Sequence, residues 1–159
     1  MNFCSRCVYP HTAVNLDFDE QNICSSCYTF EEIKKITKKE WKNRENKLIE
    51  IIENNKKNNK NEYDCIIPVG GGKDSYYQTH KIIDLGFNPL LVTYYANNYL
   101  PEGQINLDNM KLNFNCDHLI FYPNVESLKK INLAAFKMMG DMNWHAHAGI
   151  HIIPANMAL

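Results

Sequence analysis

The sequence has little that would draw it to a polyanion or into a bilayer. Seventeen basic residues stand against 18 acidic ones, a formal charge of -1 with a sequence pI near 6.6. A nucleic-acid partner needs a basic stripe, and an acidic membrane surface needs the same, so neither is expected. The longest apolar runs, "DCIIPV" and "NPLLVTYY", are too short to span a membrane. The opening "MNFCSRC" has neither the charged nor the apolar zone of a signal peptide, and a cytoplasmic protein is expected. No internal repeat occurs, and the Lys- and Asn-rich stretch between 31 and 61 has the look of composition bias, not chemistry. Apolar residues are also scarce in residues 1–28, which therefore cannot fold around a hydrophobic core of their own. Something else must staple that segment.

What is there instead is cysteine. Of the six, Cys4, Cys7, Cys24 and Cys27 read C-x2-C-x16-C-x2-C. Thiolates two residues apart project from a tight turn toward one point, and two such turns supply the four soft ligands of a tetrahedral zinc. Disulfides or free thiols are the alternative, but a cytosolic setting favours the metal. Four protein ligands leave no open position, so the zinc is expected to be structural. Cys65 and Cys116 lie alone in or beside apolar runs and are read as small packing residues.

Thr29 and Glu32 have capping-box spacing, and Ile33, Ile36, Trp41, Leu48, Ile51 and Ile52 recur on one face of an expected helix from about 30 to 54. "NNKKNNKNEY", 54–63, has no periodicity and reads as a solvated linker. From there short apolar runs alternate with longer amphipathic ones: "DCIIPV", 74–86, "NPLLVTYY", 102–113, "DHLIFYP", 125–139. Strands alternating with helices predict a parallel α/β sheet of about three strands. Gly86 and Asn88-Pro89 punctuate the first return, and Asn124 opens the third helix. Three segments result: 1–28, a zinc-ribbon-like piece; 29–62, helix and linker; 63–159, the α/β part.

"PVGGGKDSYY", 68–77, follows the first strand and opens a helix. Such a loop directs backbone N–H groups at an anion, aided by the helix N-terminus. It is not a Walker loop, because Asp74 follows Lys73, nor a dinucleotide fingerprint, because Ser75 stands where a last glycine belongs.

The run Gly70-Gly71-Gly72-Lys73-Asp74-Ser75 resembles the S-G-G-x-D-S fingerprint of the PP-loop ATP pyrophosphatases, with Gly70 in place of the family's serine. Taken with "FCSRCVYPHTAVNLDFDEQNICSSC", the long helix and "GDMNWHAHAGI", the chain is similar to the N-acetyl sugar amidotransferases of surface-polysaccharide biosynthesis, lipopolysaccharide and pseudaminic or legionaminic acid glycans among them. The resemblance implies a Rossmann-like sheet and an ATP-dependent conversion of an acetamido group to an acetamidino group. The amide oxygen would attack the α-phosphate of ATP, pyrophosphate would leave, and ammonia would displace AMP from the adenylated imidate. By the resemblance Gly70, Gly71, Gly72 and Ser75 bind ATP, Lys73 supplies positive charge and Asp74 holds Mg2+. Thr93 and Tyr94, after the second strand, are expected to meet the nucleotide. Asp141, Trp144, His145 and His147 are expected to meet a nucleotide-linked or acidic N-acetyl sugar. His145-x-His147 lacks a carboxylate at metal spacing, so substrate or packing roles are preferred to a metal. No Cys-His-Glu set for glutamine hydrolysis is evident, so a separate glutaminase subunit would supply ammonia.

Two other readings stand beside this one. Some tRNA thiolation enzymes join a double CxxC ribbon to a PP-loop, but they need a basic surface and well-placed catalytic cysteines. Family members are also longer than this chain. By their strand order, 3-2-1-4-5, the three strands here would leave the glycine-loop strand on an edge, so a truncated or split product inactive alone is the other expectation.

Overall fold

In a computed structural model, which describes residues 2–58 and 62–159, the three apolar runs form one parallel sheet ordered β1-β2-β3. β1 is Cys65–Pro68, β2 is Pro89–Tyr94 and β3 is His118–Phe121. Ile66 pairs with Leu90 and Val92 with Leu119, so β2 is central and is buried along its whole length. A parallel strand covered on both faces needs a continuous apolar run, which is why "PLLVTY" does not alternate. β1 lies at one edge among the described strands, as the 3-2-1 order implies.

The helices between strands are α3 (Lys73–Asp84) and α4 (Pro101–Phe114), followed by α5 (Val125–Met139) and α6 (Trp144–Ala158). Tyr76 and Ile82 of α3, with Leu107, Met110 and Phe114 of α4, pack against Ile67, Val69, Leu91 and Ile120. α6 packs on β1 and β2 and against α5. Successive strand residues face opposite ways, so Tyr94, which α6 meets, lies on the face opposite Leu91. The sheet is thus covered on both sides.

Local signals explain the ends of these elements. Gly86 has φ +85, the left-handed conformation that closes α3, and its N–H donates to the Ile83 carbonyl at 2.8 Å. Asn124 caps α5 by accepting from the Ser127 N–H at 3.1 Å. Asp64, buried before β1, accepts from the Asn88 N–H and from Lys56, both at 2.8 Å. Burial alone would raise its pKa, but these two partners hold it below the ordinary carboxylate value.

Three expectations need correction. The single helix from about 30 to 54 is two, α1 (Ser25–Lys35) and α2 (Lys38–Asn58). The reason is a second capping box: the Thr37 N–H and hydroxyl donate to Glu40 at 2.7 and 2.8 Å, and the Glu40 N–H donates back to Thr37 Oγ1 at 3.2 Å. Thr29 instead lies inside α1, its hydroxyl donating to the Ser25 carbonyl at 3.2 Å. α1 therefore begins within the cysteine segment, not after it. The linker proposed for 54–63 is helical through Asn58, while its residues 59–61 lie outside the described residues. Finally, "WHAHAGIH", which carries the expected substrate residues Trp144, His145 and His147, is the first half of α6.

The chain divides inside α2 into two compact units, Met1–Glu50 and Ile51–Leu159. In the first, Cys4, Cys24 and Cys27 are themselves the core, with Leu16, Phe18 and Ile23 partly buried around them. No helix of the described residues is long and apolar enough to cross a membrane.

Candidate functional site

The four N-terminal sulfurs converge. Each Sγ lies within 4.8 Å of the others, with Cys7–Cys24 at 3.6 Å, Cys24–Cys27 at 3.7 Å and Cys4–Cys27 at 3.9 Å. A Zn–S bond of about 2.3 Å in a tetrahedron sets the sulfurs about 3.8 Å apart. The same separations are far too long for disulfides, whose sulfurs sit about 2 Å apart. The cluster could hold a metal such as zinc, and all four protein ligands would be used.

The backbone prepares these thiols for that task. The Cys4 Sγ accepts from the Arg6 N–H at 3.4 Å and the Cys24 N–H at 3.3 Å. Burial opposes ionisation of Cys4, yet the N–H groups of Cys7, Arg6 and Cys24 outweigh it and bring the thiol to about 6. Cys27 is pushed up to about 12, first by burial and then by the thiols beside it. Without a cation only part of the cluster can ionise, and a divalent metal removes that conflict.

Asp19, a residue the sequence pattern did not single out, shapes the second turn. Its Oδ1 accepts from the N–H groups of Gln21 and Ile23, at 3.0 and 2.8 Å, and Tyr28 donates to Oδ2. The Tyr28 hydroxyl, then the Ile23 N–H, hold its carboxyl below the ordinary value. An Asx turn just before a cysteine pair was the available signal.

In the second unit the glycine loop leaves the C-terminal end of β1 and enters α3. Ser75 Oγ accepts from the Gly70 N–H at 2.9 Å, which closes the loop on itself. Gly71 adopts φ +76, and a Cβ there would lie 2.8 Å from the Leu107 backbone nitrogen. Glycine is therefore obligatory at 71. A Cβ at Gly72 would meet nothing within 4 Å, and one at Gly70 would make only ordinary contact, 3.5 Å, with the Tyr99 hydroxyl. Gly72 caps α3 without a side-chain hydrogen bond, which leaves the first-turn N–H groups to other acceptors.

Beside the loop lies a crevice of about 460 Å³. Pro68, Val69 and Gly70 form one side, Val92, Tyr94 and Tyr99 the floor, and Gln78, Ile150 and His151 the rest. Gln78, Tyr99 and His151 were not legible as site residues. They reach the crevice from α3, from the segment before α4 and from α6, and no sequence spacing links them.

The other expected residues separate. Lys73 and Asp74 are highly exposed and pair with each other at 2.7 Å, outside the crevice lining. Thr93 is buried, its hydroxyl donating to the Val69 carbonyl at 2.6 Å and lying 2.8 Å from His118 Nε2, so its side chain ties the three strands together. Burial lowers the pKa of His118, and nearby Lys111 acts in the same direction. Tyr94 does line the crevice, and its hydroxyl lies 3.2 Å from His145 Nδ1. His145 is buried, whereas His147 is exposed and 3.6 Å from Asp141, so the two histidines leave α6 in different directions. Trp144 and His145 line a second cavity, bounded by α5 and α6. Among the described residues the four cysteines are the one group of His, Cys, Asp and Glu placed to hold a metal.

Fold and sites together define an α/β protein with a three-stranded parallel sheet, a glycine loop at the sheet's C-terminal edge and a separate four-cysteine cluster able to hold a metal such as zinc. No protein-family model matches the chain, and no curated protein matches it.

Proposed function

We propose that the chain is the ATP-binding part of an N-acetyl sugar amidotransferase of the PP-loop type, with a structural zinc at Cys4, Cys7, Cys24 and Cys27. The observation that carries the reading is the Gly70–Ser75 loop, closed by its own hydrogen bond at the mouth of the crevice. Two observations support a phosphate chain there: the first-turn N–H groups of α3 have no side-chain cap, and the space at Gly72 is open. Bound ATP would supply an activated phosphorus, at which an amide oxygen becomes a leaving group. The task of the chain's residues is to hold the leaving pyrophosphate with the Gly71 and Gly72 N–H groups and with Lys73, once that ammonium turns from Asp74. Asp74 is the carboxylate available to Mg2+ beside such a phosphate. Tyr94, with Gln78 and His151, would border the acceptor.

The placement of the two remaining cysteines favours amide chemistry over sulfur transfer. Cys65 begins β1 and Cys116 precedes β3, so both lie at the end of the parallel sheet opposite the glycine loop. Burial raises both thiols, Cys65 to about 11, which suppresses the thiolate a sulfur carrier needs.

The test is pyrophosphate release from ATP with N-acetyl sugars and ammonia, with tRNA as the competing substrate. Release dependent on the sugar supports the proposal. Release dependent on tRNA, or no ATP binding by the folded chain, overturns it. Gly70→Ser restores the family's hydroxyl at a position with room for it and is expected to tighten ATP binding several-fold.

A further inference from the structure

A second cavity, of about 480 Å³, opens among the end of β3, α5 and α6, and shares Tyr94 with the glycine-loop crevice. Its volume is that of a ring-sized organic ligand with room to spare. Phe121, Leu128, Ile131, Trp144 and Ile152 supply most of its wall. Among the described lining residues no Lys, Arg, Asp or Glu occurs, so nothing there would neutralise an ionised ligand.

Asn124, Ser127 and His145 are the polar residues of this lining besides the Tyr94 hydroxyl; Asn124 and Ser127 are exposed, whereas His145 is buried. His145 is 93% buried by its 7% exposure, and its Nδ1 is engaged by the Tyr94 hydroxyl at 3.2 Å. Its second ring nitrogen has no hydrogen-bond partner among the described residues. That nitrogen is not sealed from solvent, so a ligand entering the cavity can replace water on it. Either neutral tautomer leaves one nitrogen to donate or accept, and an amide or a hydroxyl answers both cases. The Tyr94 ring is held in place as well: a Cβ at Gly149 would lie 2.5 Å from it, so the α6 backbone rests directly on the ring.

We infer that this cavity binds a neutral, ring-bearing small molecule through one amide or hydroxyl group, its ring against Trp144 and Phe121 and its polar group on the free nitrogen of His145. The inference does not depend on ATP binding. Should the proposed amidotransferase reading hold, the cavity lies where an acceptor's uncharged acetamido end could approach the crevice across Tyr94.

The probe is acetanilide, a neutral phenyl ring with a single amide. In a Trp41→Phe chain Trp144 is the remaining tryptophan, since the sequence has two. Titration is expected to change Trp144 emission saturably, with a dissociation constant of about a millimolar for a ligand this small. His145→Phe keeps the shape and removes the nitrogen, and should weaken binding about tenfold. Ala148→Phe fills the cavity and should abolish binding. Ser127→Phe, at an exposed position on the rim, does the same if Ala148→Phe does not fold. The inference is overturned if the folded chain shows no saturable change, if His145→Phe binds as tightly as the parent, or if a folded cavity-filling variant binds undiminished. ATP titration of the same variants reads the glycine-loop crevice separately, so failure of one site is distinguishable from failure of the other.

Discussion

Replacing Gly71 by alanine should unfold the sheet unit at a markedly lower temperature, while the same change at Gly72 should not. At 71 the backbone has φ +76, where a Cβ costs about 1–2 kcal/mol. That Cβ would also lie 2.8 Å from the Leu107 nitrogen and 3.0 Å from its Cα. Leu107 is fully buried in the core, so the helix must move, at a cost of about 1–3 kcal/mol. Reduced freedom of the unfolded chain offsets about 0.5–1 kcal/mol of this. The net loss is about 1–4 kcal/mol, which for a unit of this size lowers the melting temperature by roughly 5–20 °C. At 72 the backbone is extended, φ -82 and ψ 174, and nothing lies within 4 Å of the new methyl. The stiffer unfolded chain is offset by the poorer N-cap that alanine makes, each about 0.5–1 kcal/mol, so Gly72→Ala should melt close to the parent. Thermal unfolding followed by circular dichroism decides it. If the two variants melt within about 2 °C of each other, the approach of the loop to α4 does not set its conformation. With Gly72→Ala folded, any loss of nucleotide binding would come from the added methyl in the open space beside the loop, since the backbone N–H is retained.

Other outcomes follow from the same geometry. Cys24→Ser, or an excess of chelator, should abolish hydrogen-exchange protection across residues 2–27, since metal ligation supplies the folding energy of such small clusters; protection retained in both would mean the segment needs no metal. Val8 is a β-branched residue at φ +56, so Val8→Gly should relieve about 1–2 kcal/mol of strain against about 0.5–1 kcal/mol of added chain entropy. Its first unit should resist chelator or urea slightly better than the parent's, and a weaker unit would refute the strain. Asp64 has a folded pKa below its ordinary 3.8, so its contribution is present above that value and is lost as pH falls through the folded one. Asp64→Asn should cost about 1–2 kcal/mol at neutral pH and progressively less as the pH falls through the folded value, a convergence visible in urea midpoints. A gap that stays constant with pH would place the loss elsewhere than the Lys56 pair.

The elements most legible in sequence were those whose signals are local. α5 runs 125–139 as its Asn124 cap and Gly140 stop indicate, and Gly86 ends α3 through its own backbone. The α1–α2 break was missed because two capping boxes, Thr29–Glu32 and Thr37–Glu40, compete within one apolar stripe. The Thr37–Glu40 box is formed, while the Thr29 hydroxyl bonds the Ser25 carbonyl inside α1. The first half of α6, over 144–151, was missed because its apolar residues run all round, so neither helical nor strand periodicity marks it. Thr93 could be read as a ligand contact only while its two partners, the Val69 carbonyl just after β1 and His118 of β3, were unknown.

By itself the sequence determined the chemistry available here: four thiols at zinc-knuckle spacing, a glycine loop between strand and helix, and a parallel α/β order. Spacing along the chain is enough for these because each turn carries its own ligands or donors. The tertiary structure decided which groups meet. It placed His151, Gln78 and Tyr99 beside the loop, sent His145 inward and His147 outward, and engaged the Thr93 hydroxyl within the sheet. Those outcomes depend on how α6 crosses β1 and β2, with Gly149 against the Tyr94 ring. That contact joins residues far apart in the chain, and no local pattern encodes it.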